Sequence, residues 1–188
     1  MRTFGPAQFQ LMLLRRMADY QPDLVEDAVV SLGLPRGAVA DANRRWQAML
    51  RSATFPGGND RYRLILGEPR SAFARRLGDI TLDVRRWPLP LWPDLRFETV
   101  AVPDGPVLHE WLIRPDPATR PRLESVAGLR PWACVVGDLE HAFGAARHHD
   151  DDAPSRWAVT FTADDGQGVA RPYLARFVWG LLQTTTPL

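Results

Sequence analysis

Apolar residues recur at helical spacing through the first fifty positions of the chain. The pattern covers residues 6–20, 22–33 and 37–51, and it is clearest in the last of these, where Trp46 lies at the centre of one apolar stripe. Pro6 and Pro22 suit the first turn of a helix, and Gly33 suits a helix end. The pattern therefore predicts three helices.

After Asp79 the apolar period changes from about four to two. Ile80, Leu82 and Val84 alternate with polar residues, as in a half-buried strand. Residues 95–115 and 156–182 each indicate a hairpin, and "WACVV" (132–136) indicates a short strand. Helices followed by strands predict an α+β fold, with an N-terminal unit of about three helices and an antiparallel β-sheet of five to six strands.

The same change of period defines the expected organisation of the chain. We assign residues 1–52 to a helical unit, 53–78 to a linker and short helix, and 79–188 to an antiparallel, β-rich region. A length of 188 residues suits one compact domain overall.

The segment "RRWPLPLWPDLRF" (85–97) combines two tryptophans with three prolines. Because proline lacks an N–H, we do not expect this segment to be a central strand. The simpler interpretation is a purely structural one, in which the segment is a stiff corner packed on the sheet. The alternative is a partner-binding ridge formed by Arg85, Arg86, Trp87 and Trp92, since tryptophan and arginine dominate binding hot spots.

Charge and composition indicate which partners and which cellular compartment to expect for this protein. All 23 basic residues are arginine, which is typical of the codon bias of a GC-rich bacterial genome and weakens any argument from arginine to anion binding. The net charge is +1, with +5 in residues 1–78 and −4 in residues 79–188. A single cysteine and the lack of a signal-like or membrane-spanning segment predict a cytoplasmic protein that does not bind a membrane.

Residues 24–50 have the spacing of a helix-turn-helix unit, with Arg44, Arg45 and Arg51 available to contact phosphates. Ala38, Ala40 and Asp41 occupy the turn that would face the bases, and the carboxylate would repel phosphate. Nucleic-acid binding is therefore an alternative that we do not favour.

The run "ARHHDDD" (146–152) suggests a metal site. Neighbouring histidines rarely bind one ion, so we expect a solvated acidic loop and no metal. The weak candidates for ligands are His148, His149, Asp150 and Asp152. We expect no cofactor, because phosphate-binding glycine loops are absent from the sequence.

Candidate catalytic residues are few. His109 and Glu110, in "VLHEW", are weak candidates for acid–base chemistry on the sheet, with Glu98 on the same hairpin. Cys134 shares its predicted strand face with Trp132 and Val136, so we expect a buried, inert thiol.

These observations favour a non-catalytic accessory or assembly subunit that binds a larger protein partner, or a multi-subunit complex, through an aromatic and arginine-rich surface. One alternative is a small enzyme or ligand-binding protein with its site on the sheet near His109. The other is the helix-turn-helix nucleic-acid-binding protein. An enzyme is the less favoured class, since no coherent catalytic set is present.

Overall fold

The computed structural model describes residues 4–150 and 152–188. Within them the chain forms α-helices and β-strands, together with two short 3-10 helices at Pro117–Thr119 and Val126–Gly128. The α-helices are α1 (Pro6–Met17), α2 (Pro22–Ser31), α3 (Ala38–Leu50), α4 (Asp60–Leu66) and α5 (Val136–Phe143). The strands are β1 (Ser71–Leu77), β2 (Ile80–Leu89), β3 (Trp92–Ala101), β4 (Val107–Ile113), β5 (Arg147–Asp150), β6 (Arg156–Asp164), β7 (Ala170–Val178) and β8 (Leu181–Pro187).

The α+β class is confirmed, but the predicted count of elements is wrong. The described residues form five α-helices and two four-stranded antiparallel sheets, ordered β1-β2-β3-β4 and β5-β6-β7-β8. The first three helices were predicted, and α4 is the short helix expected in the segment 53–78. α5 begins inside the predicted strand 132–136.

Three strands were not predicted as separate strands, and each omission has a physical reason. All seven residues of β1 are exposed, so no alternation of apolar and polar residues marks it. β5 contains the charged "RHHD" that we expected in an acidic loop. β7 and β8 were predicted as one strand, but Trp179 (φ 52°) and Gly180 (φ 74°) form a two-residue turn between them, with the positive φ values that a type I′ hairpin turn requires.

The chain divides into two compact units, residues 1–110 and 111–188. The expected boundaries near residues 52 and 78 both fall inside the first unit, and β4 runs across the boundary between the units.

The core of the first unit is aromatic. α1 packs chiefly against α3, and the Phe9 ring lies 5.9 Å from Trp46 and 4.9 Å from Phe97 of β3. Tyr62 of α4 lies 5.5 Å from Phe97 and 6.0 Å from Trp87 of β2. Edge-on and tilted contacts of this kind join three helices to one face of the sheet.

The proline-rich segment 85–97 forms the end of β2, the start of β3 and the turn that joins them. Both are inner strands of the sheet, so the expectation that this segment would not be a central strand is wrong. Its tip is fixed because the Leu91 N–H donates to the Gln10 Oε1 at 2.8 Å, and Gln10 is buried in α1. The Trp87 Nε1 donates to the Gly67 carbonyl at 2.9 Å. The pairing shifts register between Pro88 and Leu89, where the missing proline N–H interrupts the ladder.

The second unit has its own apolar core beneath β6, β7, β8 and α5. Its members are buried aliphatic and aromatic side chains with Cys134: Leu129, Cys134, Val136, Leu139, Val159, Phe161, Ala163, Tyr173, Ala175, Phe177 and Leu182. Residues 132–135 do not form the predicted strand; they pair with β8 through single contacts, including a bridge between Val135 and Leu181. Gly180 is required at its position, because a Cβ there would lie 2.8 Å from the Leu112 carbonyl oxygen.

No helix of the described ranges, 4–150 and 152–188, has the length and apolar character needed to cross a lipid bilayer.

Trp87→Ala is expected to destabilise the protein by about 3–5 kcal/mol, because the side chain is fully buried and the change leaves a large cavity. Denaturant unfolding followed by circular dichroism measures the effect. Leu64→Ala, at a site on α4 that is 65% exposed, is the control and should change stability by less than about 0.5 kcal/mol. Equal midpoints for the two variants would contradict this account of the core.

Candidate functional site

The two tryptophans proposed for partner binding are buried. Trp87 is fully buried and Trp92 is 6% exposed, so neither offers its ring to a partner in this structure. Arg85 turns to the helix-bearing face of the sheet and pairs with Asp83 at 2.8 Å. Of the four residues expected in this ridge, Arg86 alone lies on the opposite face of the sheet.

Arg86 belongs to a cluster that the sequence did not reveal. Its Nε donates to the Glu98 Oε2 at 2.7 Å, and the Arg75 Nη2 approaches the same oxygen at 3.4 Å. Glu98 is buried, whereas the two arginines are partly exposed. Both guanidinium groups lie over the Phe73 ring, at 5.0 Å for Arg86 and 5.8 Å for Arg75. We call Phe73, Arg75, Arg86 and Glu98 the arginine–phenylalanine cluster.

Strand pairing explains why these residues meet. Ser71 lies opposite Arg86, and Arg86 lies opposite Glu98, so the three strands present this row on one face. The next row contains Phe73 opposite Val84, which lies opposite Val100. The carboxylate of Glu98 therefore draws both arginines onto Phe73, where the guanidinium groups gain cation–π contacts.

The cluster lies at an exposed edge of the sheet. β1 is the first strand in the order β1-β2-β3-β4, and every one of its seven residues is exposed. Phe73 is 40% exposed, Leu77 68% and the neighbouring Ile80 57%. An exposed edge with large apolar side chains is a surface on which another strand can pair.

His109 and Glu110 do not form a catalytic pair. Adjacent residues of a strand point to opposite faces, so the two side chains of β4 are on opposite sides of the sheet. Glu110 accepts a hydrogen bond from the Tyr62 hydroxyl on the helix side. The expectation that the two could share one site is wrong for this geometric reason.

The environment of His109 opposes a role as a general base. Burial lowers the pKa of His109 to about 4, against a smaller opposing effect of the Glu98 charge. The imidazole is therefore neutral near pH 7 and a weak base. Glu98, the other carboxylate of this hairpin, is already bound by Arg75 and Arg86.

Glu110, like His109, has a strongly shifted pKa. Burial raises the pKa of Glu110 to about 7, and the charge of Arg61 partly offsets this effect. Because the Tyr62 hydroxyl donates to its carboxylate, Glu110 also links α4 to β4. No sequence signal could have indicated this, since the partners are 48 residues apart.

A groove of about 540 Å³ lies beside α4 and the β3–β4 turn. Neither His109 nor Glu110 lines it. Its walls are polar and rich in glycine: Gly57, Gly58, Asn59, Asp60, Arg61, Asp83, Arg85, Ala101, Val102, Asp104, Gly105 and Pro106. No local sequence pattern indicates this groove, because its charged residues come from three separate segments.

Of the three residues proposed for nucleic-acid binding, Arg44 and Arg51 are exposed and Arg45 is half-buried. Arg44 pairs with Asp41 one turn earlier, and the Arg45 guanidinium lies 5.5 Å from the centre of the Phe4 ring. Arg51 is exposed at the end of α3. α3 packs chiefly against α1, whereas a helix-turn-helix unit depends on packing between consecutive helices.

The candidate metal ligands are dispersed. His148 Nε2 contacts the Glu140 Oε1 at 2.7 Å, His149 Nε2 contacts the Thr160 Oγ1 at 3.0 Å, and Asp152 pairs with Arg156. Asp150 is exposed at the end of β5, and Asp151 lies outside the described residues. Within residues 4–150 and 152–188, no three His, Cys, Asp or Glu side chains are grouped as a metal site would require.

Cys134 is buried, as the sequence predicts. Burial raises the pKa of its thiol to about 11, and the nearby Asp138 charge adds to this effect. The thiol is therefore protonated near neutral pH, which disfavours nucleophilic chemistry.

Comparison with known proteins gives little. No family model and no curated protein matches the chain. One solved structure that matches is described as "putative beta-lactamase inhibitor protein" from Streptococcus mutans, with 12% sequence identity and a TM-score of 0.30, over 73% of this chain and 86% of that chain. A likeness this weak carries no inference about fold or function.

Glu110→Gln is expected to stabilise the protein increasingly as pH rises from about 4.5 to about 7. A carboxyl whose pKa is raised on folding holds more protons in the folded state within this window, so the parent loses stability there as pH rises. Gln stays neutral, and its advantage should reach about 2–3 kcal/mol above pH 7.

The measurement is the free energy of unfolding of parent and variant across this pH range. The lowered pKa of His109 makes stability rise between about pH 4 and 6.5, but this contribution is common to both proteins and cancels in their difference. Glu124→Gln, at an exposed site, corrects for the general effect of removing a carboxylate. If the difference in free energy of unfolding between variant and parent stayed constant with pH, folding would not shift the pKa of Glu110, and the prediction would be wrong.

Proposed function

We propose that this protein is a non-catalytic accessory subunit that holds a larger protein partner by pairing a strand of the partner with β1. The partner strand would hydrogen-bond to the exposed backbone of Ser71–Leu77. Its side chains would contact the arginine–phenylalanine cluster and the neighbouring apolar residues Leu77 and Ile80. Strand addition of this kind gives affinity through the main chain and specificity through alternate side chains.

The observation that carries the proposal is the complete exposure of β1. A seven-residue edge strand without proline is long enough to act as a template for another chain. Proteins that do not use such an edge usually cover it, shorten it or interrupt it. β1 instead presents Phe73 and Leu77, and β2 adds Ile80 beside them on the same face.

Charge favours an acidic partner strand. Residues 70–77 contain three arginines, Arg70, Arg75 and Arg76, and no acidic residue. Arg75 shares the single Glu98 carboxylate with Arg86, so the cluster keeps an excess of positive charge. An Asp or Glu on the partner would meet complementary charge, which accelerates association and selects against basic partners.

The cluster is also held in place before binding. Glu98 is buried and fixes both guanidinium groups against Phe73. Side chains that are already ordered lose less conformational entropy when a partner binds. Aromatic and arginine side chains are also the types enriched among residues that dominate binding energy.

The proposal keeps the aromatic and arginine-rich surface expected from the sequence but changes its residues. Trp87 and Trp92 leave it because they are buried, and Arg85 leaves it because it faces the helices. Arg86 stays, and Phe73 and Arg75 join it.

Phe73→Ala combined with Arg75→Glu is expected to weaken partner binding by about 2 kcal/mol or more, since it removes the exposed ring and reverses the charge beside it. The partner is first recovered with the tagged protein from its native host and then purified. Its affinity for the parent and the variants is measured by calorimetry. Hydrogen exchange of residues 71–77 is followed with and without the partner, and these amides should become protected on binding.

Val30→Ala and Leu64→Ala are matched controls, because both sites are exposed apolar positions away from β1. They should bind as the parent does and keep its melting temperature within a few degrees. The double variant removes one arginine from the buried Glu98, so it should melt at a lower temperature but still unfold cooperatively above the temperature of the binding experiment. A partner that binds the double variant with parental affinity, or leaves the amides of β1 unprotected, would rule out strand addition at this edge.

A further inference from the structure

The groove beside α4 contains charges that the protein does not neutralise. It is formed by the loop that enters α4, by β2 and by the β3–β4 turn, all within the first unit. A volume of about 540 Å³ is within the range of sites that hold small organic ligands and exceeds what a single ion needs.

Two glycine segments form part of its wall. Gly58 (φ 55°) and Gly105 approach so closely that a Cβ on Gly58 would lie 2.6 Å from the Gly105 carbonyl oxygen. A side chain at position 58 would force the two segments apart. The groove therefore depends on close backbone contact between the loop and the β3–β4 turn.

Part of the charge in the groove is already satisfied. Asp83 accepts hydrogen bonds from the Asn59 Nδ2 at 3.1 Å and from the Arg85 Nε at 2.9 Å. Asn59 is buried, and its Oδ1 accepts a hydrogen bond from the Thr99 hydroxyl at 2.5 Å. These three groove residues, Asn59, Asp83 and Arg85, form a rigid polar floor.

Arg61 and Asp104 are not satisfied in this way. The Nε of Arg61 is buried, and no acceptor within residues 4–150 and 152–188 reaches it. Arg61 lies over the Tyr62 ring, 6.0 Å from its centre, and forms no ion pair within 4 Å with the described carboxylates. Its charge acts on Glu110 only at longer range. Asp104, on the β3–β4 turn, likewise has no cationic partner in the part of the chain that the structure describes. Asp60 adds a second rim carboxylate, 3.9 Å from Arg85.

Arg61 lines the groove, and a carboxylate in the groove would gain a charge-assisted hydrogen bond with its guanidinium group. An anion alone would satisfy Arg61 but would be repelled by Asp60 and Asp104. A cation alone would satisfy the rim carboxylates but would be repelled by Arg61. A molecule that carries both charges matches both walls.

We propose that this groove binds a small zwitterion with one carboxylate and one ammonium group, as in a free amino acid or a short peptide. The carboxylate accepts hydrogen bonds from the Arg61 guanidinium, which can hold it in a two-pronged arrangement. The ammonium group lies toward Asp104 and Asp60. This site is separate from β1 and does not depend on partner binding there.

The experiment is a titration of the ¹⁵N-labelled full chain, with amide chemical shifts recorded by NMR. The probes are pools of free L-amino acids, L-alanyl-L-alanine, N-acetyl-L-alanine and L-alaninamide, each to about 10 mM. We expect amides of residues 57–61 and 102–106 to shift with an amino-acid pool or with the dipeptide. The acetylated and amidated probes each lack one charge and should bind about tenfold more weakly or not at all.

Arg61→Gln and Asp104→Asn should each weaken binding of the active probe by about tenfold or more, because each removes one charged contact. Arg63→Gln, on the same helix and paired with Glu68, and Asp79→Asn, on another exposed turn, are the matched controls and should bind as the parent does. If Arg61→Gln fails to fold, the series of charge-deleted probes and Asp104→Asn still decide the question.

A response to the dipeptide alone would assign the groove to peptide termini, and a response to the free amino acids would assign it to the smaller ligand. Absence of groove shifts with every pool and with the dipeptide would overturn the proposal. Equal binding of N-acetyl-L-alanine and a free amino acid would also overturn it, since the site would then bind only an anion.

Discussion

The packing of Phe9, Tyr62 and Phe97 joins the helices of the first unit to its sheet, and most of what lies around them depends on it. Tyr62 is central, because its ring lies within 6.5 Å of Phe9, Trp46, Trp87 and Phe97, while its hydroxyl reaches Glu110. Once α4 is fixed on the sheet in this way, the loop before it lies against the β3–β4 turn and the groove residues come together. The opposite face of the same strands is left for the arginine–phenylalanine cluster.

The two faces of this sheet divide the chemistry of the unit. Residues of β2 and β3 that point to the helices contribute apolar packing and a small polar network around Asn59. Residues that point away contribute a small buried apolar cluster, formed by Leu82, Val84 and Val100, and the ion pairs beside the partly exposed Phe73 ring. Glu98 is buried on this second face, and burying its carboxylate would cost free energy if Arg75 and Arg86 did not pair with it. The two arginines therefore stabilise the sheet and also form part of its surface.

The sequence predicted those elements whose burial is one-sided. α2 and α3 each bury one face, and β2, β6 and β7 alternate in part as half-buried strands do, so periodicity found them. α1 is buried on all sides over residues 9–14, and it was found because its apolar residues still recur at helical spacing. β1 escaped because it buries neither face. A single strand was expected over 173–182, but a turn that begins at Trp179 divides it. Tryptophan rarely adopts a positive φ, so the sequence did not indicate a turn there.

Candidate site residues were harder to predict because contact partners lie far apart in sequence. Arg86 was identified, but its partner Glu98 and its neighbour Phe73 could be placed only with the strand register. The two tryptophans of 85–97 were considered as part of a binding surface, because a segment rich in tryptophan and arginine resembles a binding hot spot. Large apolar rings also fill protein cores, and composition does not distinguish a core from a surface. No local sequence pattern indicates that Tyr62 contacts Glu110 or that Arg61 and Asp104 line the same groove.

The turn at Gly78 and Asp79 has a consequence for the exposed edge. Since β1 buries neither face, burial does not fix its register against β2, and the short turn, with Gly78 at φ 59°, is what aligns Leu77 with Ile80. A slip of one residue would turn Phe73 and Arg75 to the helix side and bring Ala72, Ala74 and Arg76 to the outer side. Two residues of turn thus determine whether the outer face of this edge displays an aromatic ring or the small side chains of Ala72 and Ala74.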